Sequence, residues 1–247
     1  MRIAIIADIH GNLLALDAVL ADIAARGIAQ IVNLGDIVSG PLWPRETLDR
    51  LADIPMPTVR GNHDRWVSEG DPATLGDSDT VAYQQLSAAQ RAVLGALPAM
   101  LDLGGGIVAF HATPDDDNRY LVEVVRGGVL VRDSVSGIAA RLGATGARIV
   151  LCGHSHTPQL VQLPGGPLIL NPGSVGCPAY DDPDGDAHVS EAGSPHARYA
   201  VLTLDGDNVS VEMMALAYDW NAAAARAEQL GRPEWAHGLR TGLMPAT

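Results

Sequence analysis

The chain has 247 residues, with 16 basic residues, all of them arginine, against 29 Asp plus Glu, and a formal charge of −13. Binding of long nucleic acids or of anionic membranes rests on basic side chains that neutralise phosphates, so this balance excludes both partner classes. With 47% hydrophobic and 18% charged residues, the composition suits a globular chain with a sizeable core, and the length fits one domain spanning residues 1–247.

The first apolar stretch, Ile3 to Ala7, reads as a buried strand that stops at Asp8. It and every other apolar run fall short of the roughly 18 to 20 residues that span a bilayer, so a soluble, cytoplasmic chain without a signal peptide is expected. Asn12 then caps a helix in which Leu13, Leu16, Leu20 and Ile23 follow helical spacing until Gly27. Ile31 to Leu34 reads as a strand, Glu46 to Ala52 as a short helix behind Pro44, and Pro57 to Arg60 as a third strand. Residues 65–80 are turn-rich and acidic. Ser87 is expected to cap a helix running to Leu97, followed by a strand at Ile107 to Phe110, a helix at Asp133 to Leu142 and a strand at Arg148 to Leu151. Beyond that point the pattern is mostly β, with strands at Leu168 to Leu170, Tyr199 to Leu204 and Val209 to Met214. The segment Pro178 to Ala197 carries Asp181, Asp182, Asp184, Asp186 and Glu191 among Gly and Pro, and is expected to be a long solvated loop. Tyr218 to Leu230 reads as an Ala-rich helix ended by Gly231-Arg232-Pro233, within a C-terminal helical segment covering 218–247. The class is α/β.

Polar residues collect at the ends of these strands. Asp8 and His10 follow the first, Asp36 the second, Asn62, His63 and Asp64 the third, His111 the fourth, and His154 with His156 the fifth. In open α/β sheets the carboxyl ends of strands are where side chains from separate segments converge on a ligand. Imidazole and carboxylate donors without cysteine suit Mn, Fe, Zn or Ni better than a thiolate-rich structural zinc. Cys152 and Cys177 lie outside any C-x-x-C spacing and read as reduced, packed thiols. Seven candidate ligands exceed what one tetrahedral ion uses, whereas two ions about 3.5 to 4 Å apart that share a carboxylate use them all.

The stretches DIHGN (Asp8 to Asn12), GDIV (Gly35 to Val38), GNHD (Gly61 to Asp64), HATP (His111 to Pro114) and GHSH (Gly153 to His156) together resemble the calcineurin-like metallophosphoesterases. NPGSVG (Asn171 to Gly176) is similar to a stretch of a small bacterial phosphodiesterase-like subgroup. The resemblance implies a four-layer α-β-β-α sandwich with two mixed β-sheets and a metal site at the strand carboxyl ends. It implies that Asp8, His10, Asp36 and His156 hold one divalent ion, and that Asp36 bridges to a second held by Asn62, His111 and His154. His63 then faces the substrate as a catalytic group, oriented by Asp64, and hydroxide held between the ions attacks phosphorus. Two divalent ions against two carboxylates leave a positive site that attracts phosphate in an otherwise acidic chain.

A small phosphorylated metabolite or nucleotide is the expected substrate. A dinucleoside polyphosphate hydrolase and a protein phosphatase are the alternatives, although Gly35-Asp36-Ile37-Val38-Ser39-Gly40 lacks the Arg of the GDxVDRG pattern. A non-catalytic scaffold for protein interaction is the alternative from another class. Cys177-Pro178-Ala179 stands where the subgroup has Gln-Pro-Arg, and the acidic loop that follows is expected to shape access to the site. Arg60, Arg65 and Arg119 flank the motifs as possible phosphate clamps or plain surface residues. His188, His196 and His237 are expected to be exposed, and Asp115-Asp116-Asp117 to be a solvated loop.

Overall fold

The computed structural model describes residues 1–246. Strand β1 (Arg2–Ile6) leads into helix α1 (Leu13–Ala25), capped by the Asn12 side chain, which accepts from the Ala15 amide at 3.2 Å. Gly27, at a φ of 65°, provides the left-handed turn that ends this helix. Strand β2 (Gln30–Asn33) and helix α2 (Pro44–Ala52) follow. Pro57 to Arg60 is not a strand: a single parallel bridge from Thr58 to Asn33 attaches it to the sheet edge. Pro55 and Pro57 offer no amide donors, so a longer ladder cannot form there.

The chain then turns at Gly61 directly into α3 (Asn62–Glu69), and α4 (Asp77–Gln85) occupies part of the stretch read as turns. Helix α5 (Ala88–Gly95) starts at a capping box, with the Ser87 hydroxyl accepting from the Gln90 amide at 3.2 Å and the Gln90 side chain accepting from the Ser87 amide at 3.0 Å. Next come β3 (Met100–Gly104), β4 (Ile107–Phe110), and the hairpin of β5 (Glu123–Arg126) and β6 (Val129–Arg132), which turns through Gly127 and Gly128, both with positive φ. Helix α6 (Val135–Leu142) precedes β7 (Ile149–Leu151), β8 (Gln159–Gln162) and β9 (Leu168–Asn171).

The segment Pro178 to Ala197 differs from its expectation as a solvated loop. It forms an antiparallel pair, β10 (Ala179–Asp182) and β11 (His188–Glu191). His188 is correspondingly buried rather than exposed, and His196 and His237 are half-buried. Strands β12 (Ala197–Asp205) and β13 (Asn208–Leu216) follow, then α7 (Trp220–Gln229) and α8 (Pro233–Thr241), a full helix within the C-terminal segment.

The strands form two main sheets, ordered β13-β12-β1-β2 and β3-β4-β7-β9-β8. In the first, β1 and β2 are parallel while β12 and β13 are antiparallel; in the second, β4, β7 and β9 are parallel between antiparallel edges. Parallel β strands buried on both faces read as continuous apolar runs, as Ile3 to Ala7 and Ile149 to Leu151 do. One face of each sheet meets the other in a shared core of Ile3, Ile5, Val32 and Leu34 against Ile107, Ile149, Leu151 and Leu170. Ala4 and Ile6 point the opposite way, onto Leu16, Val19 and Ile23 of α1, while Val150 packs on Ile138 and Leu142 of α6. The result is the four-layer α-β-β-α sandwich. A third sheet, β10-β11-β6-β5, adds to it, and Leu42 is enclosed by alanines of α7 and α8.

Candidate metal centre

The parallel strands β1, β2, β4 and β7 deliver their carboxyl ends to one place. Among the described residues, the non-glycine positions with left-handed backbone are Asp8 (φ 55°), His10 (50°), Asp36 (55°), His154 (70°) and His156 (57°). Such conformations cost on the order of 1 to 3 kcal/mol each and persist where surrounding structure fixes them. Here the fixing bonds are visible. The Asp8 and His10 turn is tied to the Asp36 turn by backbone bonds from Ile9 and His10 amides to the Asp36 carbonyl, at 2.9 and 3.0 Å. The Asn171 to Gly176 stretch braces both sides. Ser174 donates to the Asp8 carbonyl at 2.7 Å, and Asn171 donates to Gly153 at 2.8 Å and to the Ser155 hydroxyl at 3.1 Å.

Two groups of donors result, Asp8 with His10 and His156, and Asp36 with His111 and His154, with the ligand atoms of each group within 4.8 Å of one another. All six side chains are buried. His10, His111 and His156 each have Nδ1 at 2.7 Å from a backbone carbonyl, those of Ser39, Leu34 and Cys177. A carbonyl only accepts, so each Nδ1 carries a proton and each Nε2 is turned to the centre, and in His10 and His156, whose burial opposes a second proton, it presents a lone pair. The Nε2 atoms of His10 and His156 therefore face each other at 3.0 Å, lone pair to lone pair. The Asn62 Oδ1 is likewise buried without a hydrogen-bond partner, the Asn62 amide nitrogen being engaged by Asn118 at 3.2 Å, while the His111 Nε2 lies 3.2 Å from an Asp36 carboxylate oxygen. Buried acceptors left open in this way are of the kind that a shared cation satisfies.

The electrostatics agree. Burial pushes the Asp8 carboxyl up to about 8 and the His10 imidazole down to about 4. Burial opposes a proton on His111 too, but Asp36, 3.2 Å away, outweighs it and pushes His111 up to about 10. A cation lying among these groups would neutralise the carboxylates and take the place of those protons.

His63 stands at the first turn of α3, edge-on to His10 at 5.4 Å and to Trp66 at 4.7 Å, with 28% of its side chain exposed. Its Nδ1 meets Asp79 at 2.8 Å. Burial lowers its affinity for a proton, but Asp36 and then Asp79 prevail and push it up to about 9. Asp64 does not orient His63. Its carboxylate accepts from the amides of Asp36, Ile37 and Gly61 at 2.9 to 3.0 Å and so locks the start of α3 to the Asp36 turn. The helix points back: the His63 amide donates to Asp36 Oδ1 at 3.0 Å, and a Cβ on Gly61 would fall on that same carboxylate, which explains the glycine.

Several other side chains find plain structural partners. Asn12, besides capping α1, donates to the Gly176 carbonyl and to Tyr218. Arg60 pairs with Glu69 and Arg65 with Asp117, and Arg119 is exposed; none lines the site, and Asp117 is thus an ion-pair partner rather than purely solvated. Cys152 and Cys177 are buried free thiols. Sequence reasoning missed Tyr120, Tyr180 and Asp79. The Tyr120 ring stacks on His154 at 4.7 Å, Tyr180 meets the His156 ring at 4.6 Å, and the two hydroxyls bond at 2.7 Å, with His188 Nε2 2.8 Å from Tyr120. The whole opens into a cavity of about 790 Å³.

A two-sheet sandwich that gathers Asp, His and Asn at strand ends is the architecture of metal-dependent phosphoesterases. The chain belongs to the calcineurin-like phosphoesterase superfamily, whose domain profile matches residues 1–206. It is 28% identical over 253 residues to an uncharacterized protein of Methanocaldococcus jannaschii, covering 94% of each chain. It is similar to the crystal structure of a metallophosphoesterase from Sphaerobacter thermophilus, with 25% identity, TM-score 0.73 and coverage of 98% of this chain and 100% of that one. A hypothetical protein from Pyrococcus horikoshii has the same fold, at 20% identity, TM-score 0.72 and 99% coverage of both chains. No helix among the described residues is long and apolar enough to cross a membrane.

Proposed function

We propose that this protein hydrolyses a small phosphorylated substrate at a pair of divalent ions, Mn, Fe, Zn or Ni, held by the two donor groups. The observation that carries this reading is the set of buried, unpartnered acceptors, above all the opposed Nε2 atoms of His10 and His156. Asp8, His10, Asp36 and His156 serve one ion; Asp36, Asn62, His111 and His154 serve the other. Bound there, the ions supply positive charge to phosphoryl oxygens and lower the pKa of water.

The chain's own residues do the rest. The carbonyls of Ser39, Leu34 and Cys177 hold three imidazoles in the ligating tautomer. Tyr120 and Tyr180 cover the rings of His154 and His156 and keep bulk water from that side. His63 has Nδ1 committed to Asp79, so its Nε2 is the atom that gives a proton to the leaving oxygen. A positive centre of this kind serves catalysis better than a scaffold, which has no use for seven inward-facing donors.

The test is a Mn²⁺-supplemented turnover panel of a phosphomonoester, an aryl phosphodiester, a cyclic nucleotide and a dinucleoside polyphosphate, with metal content measured in parallel. Wild type is expected to bind two ions per chain and turn over at least one of these. Asp36→Asn is expected to lose both ions and turnover, and His63→Ala to keep the ions and lose on the order of 10²-fold or more in kcat. Bound metal with no turnover of any substrate would point to the scaffold instead.

A further inference from the structure

The cavity's charge differs sharply from that of its floor. Beyond the ligands, its wall carries the carboxylates of Asp77, Asp79, Asp181, Asp182, Asp184 and Glu234. Asp79 is committed to His63 and Glu234 to Arg232, while Asp77, Asp181, Asp182 and Asp184 take part in no ion pair among the described residues. Arg232 is the one arginine on the wall among the described residues. Its Nε meets Glu234 at 2.5 Å, its Nη2 reaches the Ser78 hydroxyl at a long 3.4 Å, and its Nη1 is buried with no hydrogen-bond partner. Ser78 adjoins Asp79, so the guanidinium stands on the wall shared with His63. Its charge also bears on Cys177, beside the His156 turn. Trp66 and Trp235 both line the cavity, their rings 4.7 Å from His63 and 6.4 Å from His10 respectively.

We propose that the cavity selects a phosphoester with a single phosphoryl group on an uncharged or ammonium-bearing organic part, and that Arg232 is its one substrate-binding cation. This rests on the hydrolase reading above. A guanidinium with an open N–H is suited to a phosphoryl oxygen that the ions leave free. One such group serves one phosphoryl. A second or third phosphate would project toward four uncompensated carboxylates, a repulsion that rejects polyphosphate chains more strongly than any lost contact. The same carboxylates, with the aromatic side chains of Trp235 and Tyr180 in the same lining, attract an ammonium group.

The test compares p-nitrophenyl phosphorylcholine, bis-p-nitrophenyl phosphate and diadenosine tetraphosphate on the metal-loaded protein at low salt. The first two are expected to exceed the tetraphosphate in kcat/KM by about tenfold or more. Arg232→Ala is expected to raise KM for the diesters, and the calorimetric Kd for inorganic phosphate, by about tenfold with metal content and melting temperature retained. Arg232→Lys, which keeps the charge but not the fork, should fall between, and it carries the test if the alanine variant fails to fold. The Asp181→Asn/Asp184→Asn pair should narrow the gap in favour of the tetraphosphate. A preference for the tetraphosphate, or an unchanged KM and phosphate Kd in Arg232→Ala, would overturn the inference and leave the hydrolase reading standing. Hydrolysis of none of the three, nor of p-nitrophenyl phosphate, with two ions bound would overturn both.

Discussion

At the scale of single residues, Asp79 and Asp64 exchange the parts their positions suggest. Asp64 adjoins His63 in sequence, yet in a helix neighbours point about 100° apart, and its carboxylate is drawn to the three amides at the helix start. Asp79, sixteen positions on in α4, reaches the ring. Asp79→Asn is therefore expected to lower kcat by on the order of 10-fold or more while KM and bound metal hold, because His63 loses one of the two charges that keep it protonated and the carboxylate that holds its Nδ1. Asp64→Ala is expected to cost on the order of 3 kcal/mol of stability, as three buried amides lose their acceptor. Steady-state kinetics beside urea unfolding separates the two, and full kcat in Asp79→Asn would sink its assignment. The candidate ligands were legible because each lies in a short turn beside a recognisable strand or at the GNHD segment. Asp79 was not, since nothing in Asp77 to Thr80 distinguishes a partner of His63 from any acidic first turn of a helix.

At the scale of elements, the apolar strands and the capped helices α1, α5 and α6 could be read because burial or capping writes itself into residue type. The third sheet could not. Strands β10 and β11 bury polar side chains, His188 against the Tyr120 hydroxyl and Ser190 on the Ser155 carbonyl, with Tyr180 bonded to Tyr120, so the period-two hydrophobic signal of a strand is missing. The β5–β6 hairpin did carry a cue, Gly127-Gly128 between valine-rich runs, which passed unread. Glu123 at its start is buried, with one carboxylate oxygen unpartnered, close to Ser155 of the His154 to His156 turn. Burial pushes its carboxyl up to about 7. The folded chain thus binds a proton more tightly than the unfolded one, so this group's contribution falls as pH rises from about 4.5 through 7, and the full cost is present above that. Glu123→Gln is expected to flatten this slope and to raise stability at pH 8 by on the order of 2 kcal/mol, with little effect at pH 4.5. Urea midpoints at the two pH values check it; equal gains at both would show that charge burial is not the cause.

At the scale of the whole molecule, the −13 charge and the local demand for cations are two views of one design. Buried Asp8 and Asp36, the opposed imidazoles and the five left-handed residues all load the folded state with cost that bound ions would offset. Chelation is accordingly expected to lower the melting temperature by roughly 5–10 °C per ion held at a hundredfold excess over its Kd, and Mn²⁺ to restore it. A melting curve indifferent to chelator would deny the centre any structural weight.

The donor groups also divide along the chain. Asp8 and His10 sit with His156, and Asp36 sits with His111 and His154, so each group draws from both main sheets and from both halves of the sequence. Neither half can assemble a full set by itself. During synthesis no complete set exists until His154 has emerged and β7 has found its register beside β4. Ion capture would then act as an inspection step, rewarding only chains whose two sheets have already met in the correct alignment.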